Sequence, residues 1–157
     1  MLPDRIRLYL LSDLECAPDV LSRLISGITD HALYDRRPDA ARFTLREMVA
    51  HLADWEVVFS TRLTQTRDES DPILLGQDES QLAIDHDYAH ADPQESLNRY
   101  ATGRAKSVTF LRCLTEPEWQ RSGRHTDIGP MTLLEQLIMI VAHDGYHRQQ
   151  TIDWLSS

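Results

Sequence analysis

Two histidines near the C-terminus, His143 and His147, are the residues of this chain with the clearest potential for chemistry. They enclose the run His143-Asp144-Gly145-Tyr146-His147. On a helix this spacing places both imidazoles on one face, one turn apart, where they can bind the same metal ion. Two ligands alone make a poor site, and the pair is also compatible with polar residues on a solvated helix face.

A third candidate ligand, His51, lies in the apolar segment Met48 to Glu56. Taken alone, His51 is better explained as a hydrogen-bonded histidine of the core. Together with His143 and His147 it completes a candidate metal site of three histidines. Three neutral imidazoles that leave one position open to water are typical of a catalytic rather than a structural metal site.

Two acidic residues lie close to these histidines in the sequence. Asp54 follows His51 by about one turn, so it could orient the ring of a ligand histidine or form a surface salt bridge. Asp144 directly follows His143 and is expected to point away from its face. A zinc protease of the His-Glu-x-x-His type would need glutamate at this position, so that class is disfavoured.

Another pair with the same spacing, His86 and His90, lies in the segment Ile84 to His90. This segment is strongly polar and directly precedes a helix cap, so we interpret both side chains as solvated loop histidines. His31 and His125 are interpreted as lone loop residues.

The composition limits the partners of the chain. It has 157 residues, with 16 Lys and Arg against 25 Asp and Glu, which gives a net charge of −9. This excess repels phosphate backbones, so nucleic acid is not an expected partner. No apolar run approaches the roughly 20 residues needed to cross a bilayer, so no membrane association is expected.

Two features of the sequence, its N-terminal segment and its cysteines, favour a cytoplasmic protein. The segment Met1 to Arg7 lacks the long apolar region of a signal peptide. Cys16 and Cys113 lie far apart in predicted helices, and we expect them to be reduced, buried thiols.

Hydrophobic periodicity predicts four helices and no strands. The predicted helices span Asp4–Ile28, Thr44–Gln65, Asp92–Leu114 and Thr132–Leu155. Pro18 should either kink the first helix or lie in the first turn of a new one.

The starts of the other three helices carry local signals. Thr44 with Glu47, and Thr132 with Glu135, form capping-box patterns, and Asp92 is followed by proline as at a helix start.

These four helices predict an all-α, single-domain four-helix bundle over residues 1–157. The crossover Thr66–Pro93 between helices 2 and 3 is long for a bundle. It is therefore expected to be functional or to contain structure of its own, and with the loop Thr115–Met131 it could shape a substrate pocket.

The order of several motifs resembles the DinB-like superfamily. The matching segments are Thr44–Glu56, Trp119–His125, Gly129–Leu133 and His143–Gln150, together with Arg104 in the third helix. The resemblance covers essentially the whole chain. It implies an up-down-down-up bundle and a divalent metal ion bound by three histidines, here His51, His143 and His147.

The resemblance also bears on function. Members of this superfamily are often homodimers, and characterised ones include S-transferases and isomerases that use low-molecular-weight thiols such as bacillithiol or mycothiol. The leading expectation is a thiol-dependent S-transferase with a small-molecule substrate. The alternatives are a metal-dependent hydrolase, or a bundle that binds a metal or small molecule without catalysis.

Three further expectations complete the hypothesis. Zinc or nickel is the first choice of metal, although three imidazoles also suit copper or iron. Arg104 could anchor an anionic substrate if it faces inward. Exposed residues near the C-terminus, Ile152, Trp154 and Leu155, are candidates for the contact in a homodimer.

Overall fold

A computed structural model describes residues 2–37 and 39–156 of the chain. Within these ranges, four long helices form an all-α bundle, as predicted, and shorter elements connect them. The helices are α1 (Asp4–Ile25), α2 (Leu45–Asp68), α3 (Glu79–Asp85), α4 (Pro93–Arg112), α5 (Glu116–Trp119) and α6 (Leu133–Leu155), and the strands are β1 (Ile73–Leu74), β2 (Ser122–His125) and β3 (Gly129–Thr132). Two 3₁₀ turns span His31–Asp35 and Tyr88–His90. No helix among the described residues is long and apolar enough to span a membrane.

The predicted starts of α2, α4 and α6 are correct because each is set by a side-chain cap. The Thr44 hydroxyl accepts the Glu47 N–H at 3.2 Å, and the Glu47 carboxylate accepts the Thr44 N–H at 2.7 Å. Thr132 forms the same capping box at the start of α6. Asp92 caps α4, whose first residue is Pro93.

Helix α1 continues through Pro18 without interruption and ends at Ile25, three residues before the predicted end. Proline has no N–H, so the carbonyl of Leu14, four residues earlier, loses its helical donor. The Arg104 guanidinium of α4 donates to that carbonyl at 3.0 Å. A hydrogen bond from a neighbouring helix thus replaces the one that Pro18 cannot make.

Contacts between helix ends give the direction of each helix. Arg46, near the start of α2, donates to the carbonyl of Ala91, just before α4. Arg67, near the end of α2, stacks on Phe110, near the end of α4. Helices α2 and α4 are therefore parallel, which is why the connection between them must be a long crossover.

The other two helices run in the opposite direction to this pair. Gln136, at the start of α6, donates to Thr66, near the end of α2, so these helices are antiparallel. Leu97 near the start of α4 packs in one cluster with Ile25 at the end of α1, and Trp154 at the end of α6 joins them. The bundle is thus up-down-down-up.

A small sheet was not predicted, and in this respect the sequence interpretation is wrong. Strand β1 pairs in parallel with β2, which pairs antiparallel with β3. Strands of two to four residues are too short to show an alternating pattern, and glycine and proline occur in them. A Cβ on Gly123 would lie 3.0 Å from the buried Leu74 side chain, so the close approach of β1 and β2 favours glycine at this position. The crossover contains structure of its own, as expected.

The apolar core forms two clusters at different levels of the bundle. One contains Leu11, Leu14, Trp55, Phe59, Leu63, Val108, Leu111, Trp119, Leu133, Leu134, Leu137 and Ile140. The other contains Leu21, Ile25, Tyr34, Leu45, Met48, Val49, Leu52, Ala53, Leu97, Tyr100 and Trp154. Between them lie the polar side chains of His51, Glu56, Arg104, His143, Asp144 and His147, which we call the polar layer.

Both cysteines are exposed to solvent, which corrects the prediction that they are buried. Cys16 lies on the outer face of α1, and Cys113 is the residue that ends α4. The hydrophobic periodicity of the sequence did not show that Cys16 and Cys113 face the solvent.

Candidate metal centre

The three predicted histidines meet at one point of the bundle. Helix α2 contributes His51, and α6 contributes His143 and His147. The ring centroids are 5.2 Å apart for His51 and His143, 4.8 Å for His51 and His147, and 4.5 Å for His143 and His147. One ring nitrogen from each residue lies within 4.8 Å of the others.

The histidine cluster is buried in aromatic surroundings. His51 is fully buried, His147 is 5% exposed and His143 is partly buried. The rings of Phe43 and Trp55 lie 5.3 and 5.5 Å from His51, and Phe59 lies 5.3 Å from His143. These apolar rings provide little solvation for a charged imidazole.

Burial keeps all three imidazoles neutral at physiological pH. Burial, and then the charges of His147 and His143, lower the pKa of His51 to about 2. Burial, and then the charges of His147 and Arg104, lower the pKa of His143 to about 3. Burial also lowers the pKa of His147. Neutral imidazole is the form that binds a metal ion, so no proton has to be displaced.

The ring of His147 is held by a neighbour on its own helix. Its Nδ1–H donates to the side-chain oxygen of Gln150 at 2.9 Å. This hydrogen bond leaves Nε2 as the nitrogen with a free lone pair and fixes the orientation of the ring. The sequence pointed to Gln150 only as part of a family motif, because its partner could not be identified before the ring orientation was known.

The spacing of the nitrogens fits a bound cation. The Nε2 atoms of His51 and His143 are 3.1 Å apart, and neither Nδ1 has a hydrogen-bond partner among the described residues. If both Nδ1 atoms carry the proton, two lone pairs face each other, an arrangement that a cation would stabilise. Two nitrogens bound to a tetrahedral zinc ion at ~2.0–2.1 Å are about 3.4 Å apart. The three residues therefore fit a divalent metal ion.

Asp54 does not orient a ligand histidine. Its buried carboxylate accepts hydrogen bonds from His86 and from Arg99. Of the two alternatives for Asp54, the salt bridge is the one that the structure contains. The side chains of His86 and His90 are 53% and 81% exposed, so this pair is solvated as expected.

Asp144 and Arg104 depart from their predicted roles. Asp144 points into the bundle, where it accepts from Arg104 and from the Tyr100 hydroxyl at 3.1 Å. Arg104 also donates to Glu56 and to the carbonyl of Leu14. All five N–H donors of Arg104 are thus used within the chain, and none remains to anchor a substrate.

Burial and neighbouring charges have opposite effects on the pKa values of Arg104 and Glu56. Burial alone would lower the pKa of Arg104, but the hydrogen bond and charge of Asp144 raise it. Burial raises the pKa of Glu56, and the charge of Arg104 opposes the rise.

A pocket of about 320 Å³ reaches the histidine cluster at His147 and Gln150. Its walls include Arg42 and Phe43, from the segment before α2, and Glu79, from the start of α3. A groove of about 480 Å³ between α2 and α4 is lined by residues other than the three histidines. The smaller pocket is therefore the relevant one for chemistry at the cluster.

The motif Trp119–His125 builds the sheet rather than the site. Arg121 donates to the carbonyls of Thr66 and Glu69, so it fixes the end of α2. His125 is a buried residue of β2, not a lone loop residue, and its Nδ1 accepts the Asp127 N–H at 3.2 Å.

Residues 13–151 match the family model of the DinB superfamily. The chain belongs to this superfamily. It is 27% identical over 143 residues to YfiT of Bacillus subtilis (strain 168), with coverage of 91% of this chain and 80% of YfiT. It is 22% identical to OB0782 of Oceanobacillus iheyensis over 87% of this chain and 78% of that protein. Both relatives are named as candidate metal-dependent hydrolases.

The fold of this DinB-superfamily member also matches a solved structure. YfiT of Bacillus subtilis superposes with a TM-score of 0.91 and 24% identity, over 98% of this chain and 88% of YfiT. That structure is described as an unusual four-helix bundle. The parallel pairing of α2 and α4 is the feature by which the present bundle departs from a simple up-and-down arrangement.

Proposed function

We propose that this protein is a divalent-metal-dependent hydrolase of a small molecule, with His51, His143 and His147 as the metal ligands. The observation that carries the proposal is the convergence of three neutral imidazoles beside a pocket that opens at His147. Three imidazoles from two helices leave room for a further ligand, which is typical of catalytic metal sites. The names of both curated relatives support hydrolysis as the reaction.

The chain's own residues have separate roles in this proposal. A divalent ion, when bound, polarises a substrate oxygen and lowers the pKa of water. The imidazoles of His51 and His143 stay neutral because they are buried, and Gln150 orients the ring of His147. Trp55 and Phe59 exclude water from the side of the cluster that faces the core. The pocket admits substrate from the opposite side.

A thiol-dependent S-transferase is the second candidate, and it would use the same three histidines. A bound divalent ion lowers the pKa of a thiol as it does that of water. The substrate would then be an electrophile together with a low-molecular-weight thiol such as bacillithiol or mycothiol. This candidate rests on the resemblance to the characterised thiol-dependent members of the superfamily.

One experiment separates these candidates. The protein is freed of metal with a chelator, loaded with zinc, nickel, iron or copper, and assayed with 4-nitrophenyl esters. The same samples are assayed with chloro-dinitrobenzene in the presence of glutathione, cysteine, bacillithiol or mycothiol. Metal-dependent ester cleavage without thiol supports the hydrolase, and metal-dependent thiol conjugation supports the transferase.

The matched control uses two histidine variants. His143→Ala should abolish the metal-dependent rate, while His90→Ala, at a solvated histidine, should leave it unchanged. Metal binding without turnover in either assay would contradict both enzyme proposals and favour a binding protein. Absence of metal binding would contradict the site itself.

We also propose a homodimer, with a revised set of contact residues. Ile152 and Leu155 are 40% and 43% exposed near the end of α6, but Trp154 is buried in the core and is not available for a contact. Light scattering should give about twice the chain mass of 18.1 kDa. A value equal to the chain mass at micromolar concentration would contradict the dimer.

A further inference from the structure

The pocket beside His147 contains two opposite charges that do not pair with each other. Arg42 comes from the segment before α2, and Glu79 is the first residue of α3. Both line the same pocket of about 320 Å³. The described residues show no ion pair between Arg42 and Glu79, so each side chain can bind a separate charged group of one ligand in this pocket.

Arg42 retains free hydrogen-bonding capacity. Its Nε lies 3.3 Å from Asp39, and its two terminal amino groups have no partner in the part of the chain that the structure describes. Arg37, which lines the same pocket, differs in this respect. Arg37 donates to both carboxylate oxygens of Glu47, at 2.8 and 2.7 Å, and to the carbonyl of Arg42 at 2.6 Å. Arg37 therefore holds the backbone of Arg42 in place, and Arg42 faces the pocket with its donors available.

Glu79 retains free accepting capacity on the other segment. Its carboxylate has no hydrogen bond or ion pair to any described residue, and burial, followed by the charge of Asp78, raises its pKa. The Asp78 side chain accepts the N–H groups of Ser80 and Gln81, at 2.9 and 3.0 Å. This cap fixes the first turn of α3 and with it the position of Glu79.

We propose that the pocket binds a small zwitterion of the amino-acid or short-peptide class, with its carboxylate on Arg42 and its ammonium group on Glu79. A ligand with one charge would pair with one of the two side chains and leave the other without a partner in the pocket, whereas a zwitterion pairs with both. The rings of Phe43 and Tyr146 provide contacts for the uncharged middle of the ligand. The assignment of this ligand as substrate rests on the proposed function, because only then does His147 mark the position of the bond that reacts.

The charges also exclude other small molecules. A dianion such as inorganic phosphate would be attracted by Arg42 but repelled by Glu79. A simple cation would be attracted by Glu79 but repelled by Arg42. The net charge of −9 would favour cations at most surfaces of this chain, so a preference for a zwitterion is not a general property of the protein.

The test measures binding to the metal-free protein, so that no metal contributes to affinity. Glycylglycine is titrated and followed by NMR chemical shifts, with glycine and triglycine to vary the distance between the two charges. N-acetylglycylglycine lacks the ammonium group, and glycylglycinamide lacks the carboxylate. The best zwitterion should bind about tenfold more tightly than its singly charged analogue, as expected for one charged hydrogen bond.

Paired variants assign each charge to its residue. Arg42→Gln should remove the preference for the free carboxylate and keep the preference for the free ammonium group, and Glu79→Gln should do the opposite. Arg42→Lys and Glu79→Asp, which conserve charge, should restore part of each preference. Arg124→Gln and Glu95→Gln, at exposed residues outside this pocket, should change neither. Circular dichroism verifies that each variant is folded.

Two results would overturn the proposal: no saturable binding of any of the three zwitterions, or equal affinity for the zwitterion and its singly charged analogues. Neither result depends on a metal or on turnover. The proposed function can therefore fail in the metal-loading assay while the zwitterion preference persists, and the reverse outcome is equally distinguishable.

Discussion

The polar layer of this bundle contains two buried groups that differ in how well their polar atoms are satisfied. Around Arg104, every guanidinium N–H has an acceptor, and both Glu56 and Asp144 receive further hydrogen bonds from Ser107 and Tyr100. In the histidine cluster, the Nε2 atoms of His51 and His143 lie 3.1 Å apart and face each other. The first group is complete within the chain, whereas the second has coordination capacity to spare.

This difference separates a structural role from a binding role. Buried polar groups in folded proteins are almost always satisfied, and two facing imidazole lone pairs would be satisfied by a bound cation. Arginine and carboxylates in a closed network stabilise the packing of α1, α2, α4 and α6. The histidines instead offer lone pairs to a common point beside a pocket. Arg104, Glu56, Asp144, His51 and His147 are all buried and His143 is partly buried, so burial alone would not distinguish the two groups.

The largest expected effect comes from breaking the complete group. Arg104→Met removes the cation between two buried carboxylates, Glu56 and Asp144, and should cost about 3–5 kcal/mol of unfolding free energy. Arg124→Met removes an exposed ion pair with Asp71 and should cost at most about 1 kcal/mol. Urea denaturation of both variants measures the contrast. Equal losses would show that the Arg104 network does not stabilise the fold as a buried unit.

Completing the histidine cluster should raise stability. A metal ion that binds only the folded chain adds about 2.7 kcal/mol at a free concentration one hundred times its Kd. Chelator-treated protein should therefore melt at a higher temperature with zinc or nickel, and His147→Ala should abolish the increase. No change in melting temperature for the unmodified chain with any divalent metal would exclude a tight site.

The histidine cluster should also make the metal-free protein sensitive to acid. The folded-state pKa of His143 is about 3, below the ~6.5 of an unfolded histidine. The unfolded chain therefore takes up protons first as the pH falls, so the stability is complete above ~6.5 and is lost below it. Between pH 7.5 and 5.5, His143 should account for about 1.4 kcal/mol of lost stability.

Comparison with a variant isolates this contribution. His143→Leu replaces the titrating imidazole with an apolar side chain of similar size. Between pH 7.5 and 5.5, the variant should therefore lose about 1.4 kcal/mol less unfolding free energy than the unmodified protein. Denaturant titrations of both metal-free proteins at the two pH values provide the measurement. Identical pH dependence would mean that His143 is not held neutral by burial.

The smallest effect concerns two helical glycines: Gly103, which packs against Glu56, and Gly145, which lies between His143 and His147 in the sequence. A Cβ at Gly103 would lie 2.8 Å from the Cβ of Glu56, whereas a Cβ at Gly145 would meet its nearest atom at 3.9 Å. Gly103→Ala should destabilise the protein by about 1 kcal/mol, because steric strain outweighs the gain in helix propensity. Gly145→Ala should stabilise it by about 0.5–1 kcal/mol. Thermal melts that shift in the same direction would contradict this account.

The sequence predicted features that depend on local spacing. The capping boxes at Thr44 and Thr132 involve residues three positions apart, and His143 and His147 share a face because helix geometry requires it. His51 could be joined to that pair because it was a polar residue among apolar neighbours. The family resemblance then supplied the parallel pairing of two helices, which no local pattern contains.

The features that the sequence missed depend on contacts between distant segments. The inward direction of Asp144 follows from the position of Arg104, on a different helix, and not from its own neighbours. The strands are too short to have a periodicity, and their pairing joins the crossover to a loop about fifty residues away. Arg42 and Glu79 face one pocket only because α3 folds back toward the segment before α2.

The carbonyl of Leu14 has a further consequence, for the folding of the chain. A proline inside a helix costs about 3 kcal/mol, and here the replacement donor lies 90 residues away in sequence. Helix α1 therefore cannot reach its full stability until α4 has docked and brought Arg104 into place. Formation of helix α1 is therefore coupled to assembly of the whole bundle. The amide protons in the centre of α1 should exchange with solvent only through global unfolding.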